Sequence, residues 1–399
     1  MKRRIACLLN CCLVAVTVLG CTTATTAMPA DSVEEEAPVE AVTEAEPKVP
    51  TFSKERWKNN HAKVRGLYIT GPTAGSEEMD DIIQLIDDTE LNAVVIDVKD
   101  DNGNITFDME GNDMVQELDA CLAYIGDMPA LLDKLQEHDI YTIARIPCFK
   151  DPILAEGRPK LALCKPDGTP IVDGKGVAWV NPCKKEVWEY LVSIGKSCKE
   201  LGFDEVQFDY VRFPVGEDAE GADYGVTVTP KNKHTFIEEF LSYACEELHA
   251  VDMPVTADLF GTVIGSEIDI EQVGQDYHEL ASTVDALCPM IYPSHYGPGN
   301  FDLDVPDAQP YETILAALDK SRTDLSSVDE DKCAVIRPWL QAFSAPWVEG
   351  HIEYGGDEIR AQVQAVYDAG YEEWILWNAA NNYNADGLEP DENKKDAEH

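Results

Sequence analysis

Short apolar runs recur along the chain and alternate with longer segments whose apolar positions return every three to four residues. The runs are Val64–Thr70, Ala93–Lys99, Tyr141–Pro147, Glu205–Pro214, Pro254–Gly261, Ala286–Pro293, Ala334–Gln341 and Glu373–Ala379. Between them the spacing predicts helices at Ser76–Thr89, Pro129–His138, Lys184–Leu201, Lys231–Ala250, Asp269–Leu280, Ala308–Lys320 and Gly356–Ala369. A long loop from Cys148 to Pro182 carries Trp179 and Asn181. Apolar strands joined by helices predict a parallel sheet buried on both faces. Eight of them predict closure into a single (β/α)8 barrel of the TIM type. The rival is an open doubly wound sheet, but GPTAG rather than GxGxxG follows the first strand.

In such a barrel the chemistry gathers at the carboxyl ends of the strands. Asp97 and Lys99 end the second run, Arg145 the third, Asp209 and Arg212 the fourth, and Asp258 the fifth. Tyr292 ends the sixth with His295 beyond it; Arg337, Trp339 and Gln341 end the seventh; Trp377 and Asn378 end the eighth. Strand alternation puts Val206, Phe208 and Tyr210 on one face and Gln207 and Asp209 on the other. The apolar face is expected against the helices, so Gln207 and Asp209 point inward. By the same rule Val255, Ala257 and Leu259 face helices and Thr256 and Asp258 face the interior. Carboxylates inside a barrel are costly unless paired. Two of them on adjacent strands, with Arg145 and Arg337 near, mark either a site or a structural ion network. No His, Cys and carboxylate cluster has metal-ligand spacing, so no metal or other cofactor is expected.

The ends of the chain change the picture of where this body works. Lys2, Arg3 and Arg4 precede an apolar run, Ile5–Leu19, that is too short to span a bilayer. It ends Val18-Leu19-Gly20-Cys21, which resembles the bacterial lipobox, in which cleavage precedes a lipid-bearing cysteine. Residues 1–20 are therefore read as a lipoprotein signal peptide and Cys21 as the lipidation site. Residues 21–60 form an acidic tether, with Thr22–Pro50 too poor in apolar side chains to fold. Residues 61–385 form the barrel, and 386–399 a loose polar tail. A net charge of −44 argues against nucleic acid as a partner. Eight cysteines remain in the body: Cys121, Cys148, Cys164, Cys183, Cys198, Cys245, Cys288 and Cys333. Export permits disulfides among them, and burial as small hydrophobes is the equal alternative.

The segments GFDEVQFDYVRFP (202–214), VTADLFG (255–261) and LCPMIYPSHY (287–296) resemble a bacterial family of glycoside hydrolase-type domains of unknown function. The resemblance covers roughly Lys63 to Asn384 and implies a TIM-type barrel with glycosidase-like chemistry. Chitinase-type barrels are more distantly similar. Their D-G-x-D-x-D-x-E pattern falls on Asp204, Glu205, Gln207, Asp209 and Val211, their M-x-Y on Met290-Ile291-Tyr292, and their strand-eight Trp on Trp377. Valine at the catalytic Glu position cannot donate a proton, so that mechanism does not transfer. The layout of amylase-type barrels, with a strand-four Asp and a strand-five carboxylate, fits Asp209 and Asp258.

The reading is a lipid-anchored glycoside hydrolase outside the cytoplasmic membrane, acting on a polysaccharide or oligosaccharide and touching the membrane only through its anchor. Asp209 is the nucleophile or base and Asp258 the acid. Asp97, Lys99, Arg145, Gln207, Arg212, Tyr292, Arg337, Gln341 and Asn378 contact substrate, and Trp339 and Trp377 offer sugar platforms. Val211 favours a different reading, a non-catalytic carbohydrate-binding barrel. A solute-binding lipoprotein would need two lobes, which serial βα units do not build.

Overall fold

The computed structural model describes residues 52–216 and 219–391. The residues read as signal peptide and tether, Cys21 included, lie outside the described residues up to residue 51. Eight parallel strand positions close on themselves: β1 (Arg65–Ile69), β2 (Ala93–Asp97), β3 (Tyr141–Pro147), β4 (Glu205–Asp209), β5 (Val255–Phe260), β6 (Ala286–Met290), β7 (Val335–Ile336 and Trp339–Gln341) and β8 (Trp374–Trp377). The barrel closes where β1 pairs with β8 and where Trp339 pairs with both Met290 and Ile375. β7 is broken because Pro338 has no N–H to give a ladder.

Alternation sorts the strands as the sequence predicts. Val206, Phe208, Val255, Ala257 and Leu259 belong to the large core between sheet and helices. Phe208, for instance, meets Phe240 of the helix Lys233–His249 edge to face at 5.4 Å. The opposite parity fills the interior with Ala93, Val95, Ile143, Cys288 and Ile375. Burying such side chains is the main term holding the barrel, at about 25 cal/mol per Å² of apolar surface.

Several expectations need correction. The single helix expected over Asp269–Leu280 is two, Glu267–Val273 and Tyr277–Thr283. Gly274, at φ 80°, ends the first; a Cβ there would meet Phe213 and Lys233 at 3.0 Å. The loop after β2 folds into a small parallel ribbon, Ile105–Phe107 with Cys121–Ile125, that short polar-interrupted sequence did not announce. Residues 52–60 are not disordered tether. A helix, Lys54–Asn60, carries Lys54 to the Val284 carbonyl at 2.5 Å and Lys58 to the Cys333 carbonyl at 2.9 Å. Nor are residues 386–391 loose: Glu90 N–H donates to the Glu389 carbonyl at 2.8 Å, and Thr89 bridges Pro390. All eight body cysteines are free thiols. No helix among the described residues is long and apolar enough to cross a membrane.

Candidate active site

The carboxyl ends of β2, β3 and β4 bring one cation among three carboxylates. Arg145 donates from Nη1 to Asp97 Oδ1 at 2.6 Å and from Nη2 to Asp101 Oδ1 at 2.9 Å. It also donates to Asp209 Oδ2 from Nη2 at 2.5 Å and from Nε at 3.1 Å. The other oxygen of Asp209 accepts the Tyr210 backbone N–H at 2.5 Å. Every donor around Asp209 thus addresses it as an acceptor. Asp97 takes a further hydrogen bond from the Tyr68 hydroxyl at 2.6 Å. Burial pushes the Asp97 carboxyl up to about 6 against the pull of Arg145 and Tyr68. Burial also raises Asp101, but Arg145 and Lys150 outweigh it and hold that carboxyl below its ordinary range.

Asp258, on the neighbouring strand, differs in kind. It is 1% exposed and its only hydrogen-bond partner among the described side chains is the Trp339 indole N–H, at 2.6 Å from Oδ1. Burial and then the charge of Asp209 drive its carboxyl well above the ordinary range, although Trp339, Arg145 and Arg337 oppose the shift. So two adjacent strands carry one carboxylate surrounded by donors and one carboxyl whose surroundings favour the proton.

An aromatic wall rises beside them. Trp377 packs at 6.2 Å on Tyr68, 5.7 Å from Tyr292 and 5.2 Å from Phe343. Phe343 in turn stacks on Trp347, which is 69% exposed. Trp377 remains half-buried and can present a ring face. Trp339 cannot: it is 2% exposed, and its role is to hold Asp258. That corrects its assignment as a platform.

Other candidates are taken up in structural contacts. Arg337 is fully buried at the opposite end, paired with Glu205 at 2.6 Å and Glu373 at 2.9 Å, and Glu373 also meets His61 at 2.7 Å. Arg337 stands two residues before Trp339 on the same inward parity, in an unchanged register (Ile336 opposite Leu287, Trp339 opposite Met290), so Trp339 and not Arg337 reaches the site layer. Lys99 is enclosed with Asp151 at 2.9 Å and the Pro147 carbonyl at 2.6 Å. Gln341 is buried against Asp307 and the Phe343 carbonyl. Gln207 sits in the middle of the barrel, its amide nitrogen 3.1 Å from Cys288 Sγ. Asn378 shapes the last loop by donating to the Ala342 carbonyl at 2.6 Å. His295 packs on Tyr292 at 5.2 Å.

Sequence reasoning missed Tyr68, Asp101, Tyr210 and Lys150. Tyr68 has the inward parity of β1 and the alternation rule reaches it. Tyr210 was expected against the helices with Phe208. The strand stops one residue earlier, and Tyr210 takes φ 48°, a sparsely populated backbone for a bulky residue. Its ring therefore turns back over the site, and its hydroxyl donates to Asp101 at 2.9 Å. As for metals, the one close donor set among the described residues, His234, Asp276 and Glu279, lies on the outer helices, with His234 already 2.7 Å from Glu279.

Residues 66–383 match a family described as "Putative glycosyl hydrolase domain", and the chain belongs to that family. No curated protein matches it. Among solved structures, a hypothetical protein from Ruminiclostridium thermocellum is 36% identical, with a TM-score of 0.43, over 48% of this chain and 96% of that one. The glycoside hydrolase domain of PgaB (BpsB) from Bordetella bronchiseptica is 12% identical, with a TM-score of 0.53, over 80% of this chain and 95% of that one. An α-galactosidase from Thermus thermophilus, in complex with stachyose, is 11% identical, with a TM-score of 0.50, over 82% of this chain and 64% of that one. The last two share the barrel fold.

Proposed function

We propose that the protein is a glycoside hydrolase that opens O-glycosidic bonds of a polysaccharide outside the cytoplasm, tethered to the membrane by lipid on Cys21. The observation that carries this is the asymmetry of Asp209 and Asp258. Two carboxyl groups held in unlike surroundings are the general means by which glycosidases supply an acid and a base or nucleophile together. Asp258 hands its proton to the departing glycosidic oxygen. Asp209, oriented by Arg145 and the Tyr210 N–H, either attacks the anomeric carbon or takes a proton from water. The wall at Trp377 receives the apolar face of a sugar ring. Membership of the glycosyl hydrolase domain family supports the reaction class.

A second reading is a barrel that binds glycans without cutting them. It is favoured by the burial of Asp258 and by Val211, fully buried where chitinase-type barrels place their acid. A panel of purified polysaccharides, followed for reducing-end release, separates the two. Release from any of them supports the hydrolase; binding without release from all of them favours the binding barrel.

A further inference from the structure

Three arginines stand inside or at the rim of this barrel, and they are treated differently. Arg145 is saturated by Asp97, Asp101 and Asp209, and Arg337 by Glu205 and Glu373. Arg212 has no ion pair with any described carboxylate. Of its N–H groups one is used, Nη1 donating to the Phe213 carbonyl at 3.0 Å. Yet its guanidinium is packed against three rings, 4.7 Å from the centre of Phe260, 4.9 Å from Trp179 and 5.4 Å from Tyr210. Burial takes enough water from it to lower its pKa, against the pull of Tyr210 and Asp209. Ring faces cover the flat sides of a guanidinium and leave its edge, a planar fork of donors, for a partner. A cation placed this way is costly until an anion meets it.

A second cation stands close by. Lys150 lies 4.8 Å over the Tyr210 ring, so that ring is flanked by two cations. The segment 148–185 after β3 holds seven of the chain's 31 Lys and Arg residues against four carboxylates, in a protein of net charge −44. It also walls a cavity of about 740 Å³, lined by Lys160, Lys165 and Lys184 with Glu156 and Asp223. Lys150 also pairs with Asp173 at 3.6 Å and Asp101 at 3.9 Å, whereas Arg212 makes no such pair with a described carboxylate.

We propose that the site takes an acidic glycan, and that Arg212 grips the carboxylate of one of its sugars through a two-pronged pair. This rests on the glycosidase reading for the position of the sugar chain. It goes further in naming the substrate class. A neutral hydroxyl would accept a single bond from the fork, whereas a carboxylate matches two and supplies the missing charge.

The test is a binding panel on the full chain in which each carboxylate-bearing oligosaccharide is paired with its methyl ester. Wild type, Arg212→Gln and Arg212→Lys are compared by calorimetry, with thermal melts as the check on folding. At least one acid is expected to bind roughly ten- to a hundredfold more tightly than its ester, as for a charge-assisted bidentate pair. Arg212→Gln should close that gap, and Arg212→Lys should keep part of it. Equal binding of acid and ester, a gap that survives Arg212→Gln, or binding confined to neutral glycans would overturn the proposal. Reducing ends are counted in parallel. Acid-selective binding without release sinks the hydrolase reading and leaves this one standing; release from neutral glycans with no charge preference does the reverse.

Discussion

The indole N–H of Trp339 points at Asp258 Oδ1 from 2.6 Å, so the residue that looks most like a sugar platform is instead the sole described hydrogen-bond donor to the buried carboxyl. This hydrogen bond favours the ionised form and opposes a shift set by burial and by Asp209. Trp339→Phe keeps an aromatic ring, though a smaller one, and deletes the donor. The Asp258 carboxyl should then hold its proton to still higher pH. In a pH–rate profile the alkaline limb should move up. A limb that stays put, or moves down, removes Asp258 as the acid.

Trp377 should behave in the opposite way. It is half-buried among Tyr68, Tyr292 and Phe343. Trp377→Ala is expected to weaken oligosaccharide binding by about 0.5–1.5 kcal/mol beyond the lost contact area. Trp339→Phe should leave that affinity nearly unchanged. Calorimetry with one bound oligosaccharide distinguishes them, and equal losses in both variants would contradict the assignment.

At the other end of the barrel, the Arg337 network predicts how stability responds to acid. Burial raises Glu373, but Arg337 and His61 outweigh it and hold its carboxyl below the ordinary value. A carboxyl depressed in the folded state binds its proton later than the unfolded chain does. Its contribution is therefore fully present above about pH 4.3, the unfolded Glu value, and is lost as pH falls through the lower folded one. Urea unfolding between pH 7 and 3 should show stability dropping in that acid range. Glu373→Gln should be less stable at pH 7 and less steep below. A parallel slope in the variant would mean that other carboxylates carry the acid sensitivity.

Tethering through Cys21 is tested by Cys21→Ser in a bacterial host. Membrane fractionation is expected to move the variant largely out of the membrane pellet, since acyl chains contribute about 0.8 kcal/mol per buried methylene. Retention equal to wild type would assign the attachment to something else.

The barrel was legible because its signal is repetitive: eight apolar runs with the right parity each independently point the same way. Asp209, Asp258, Asp97 and Arg145 were legible because inward parity near a strand end is a local property. What the sequence hid depends on where a strand stops. Tyr210 follows Asp209 in an unbroken β-like run, and only its left-handed backbone turns it back into the site. Arg337 looked like a strand-end residue because it shares the inward parity of Trp339, but it stands two residues earlier in the run and its guanidinium reaches back to Glu205 and Glu373 near the strand starts. Asp101 sits in a polar loop with no periodicity, and its partnership with Arg145 and Tyr210 is purely tertiary.

The most direct test of the whole account compares wild type with Asp209→Asn and Asp258→Asn on one cleaved polysaccharide, by reducing-end release and thermal melting together. Asn is nearly isosteric but serves neither as a carboxylate nucleophile nor as an acid. Each variant should lose at least about 10²–10⁴-fold in rate. Asp258→Asn should keep a melt close to wild type, because burial already disfavours a charge there and the amide oxygen still accepts from Trp339, and Asp209→Asn should melt lower because Arg145 loses a counter-charge. Near-full activity in either variant would contradict the assignment of Asp209 and Asp258 as the catalytic pair.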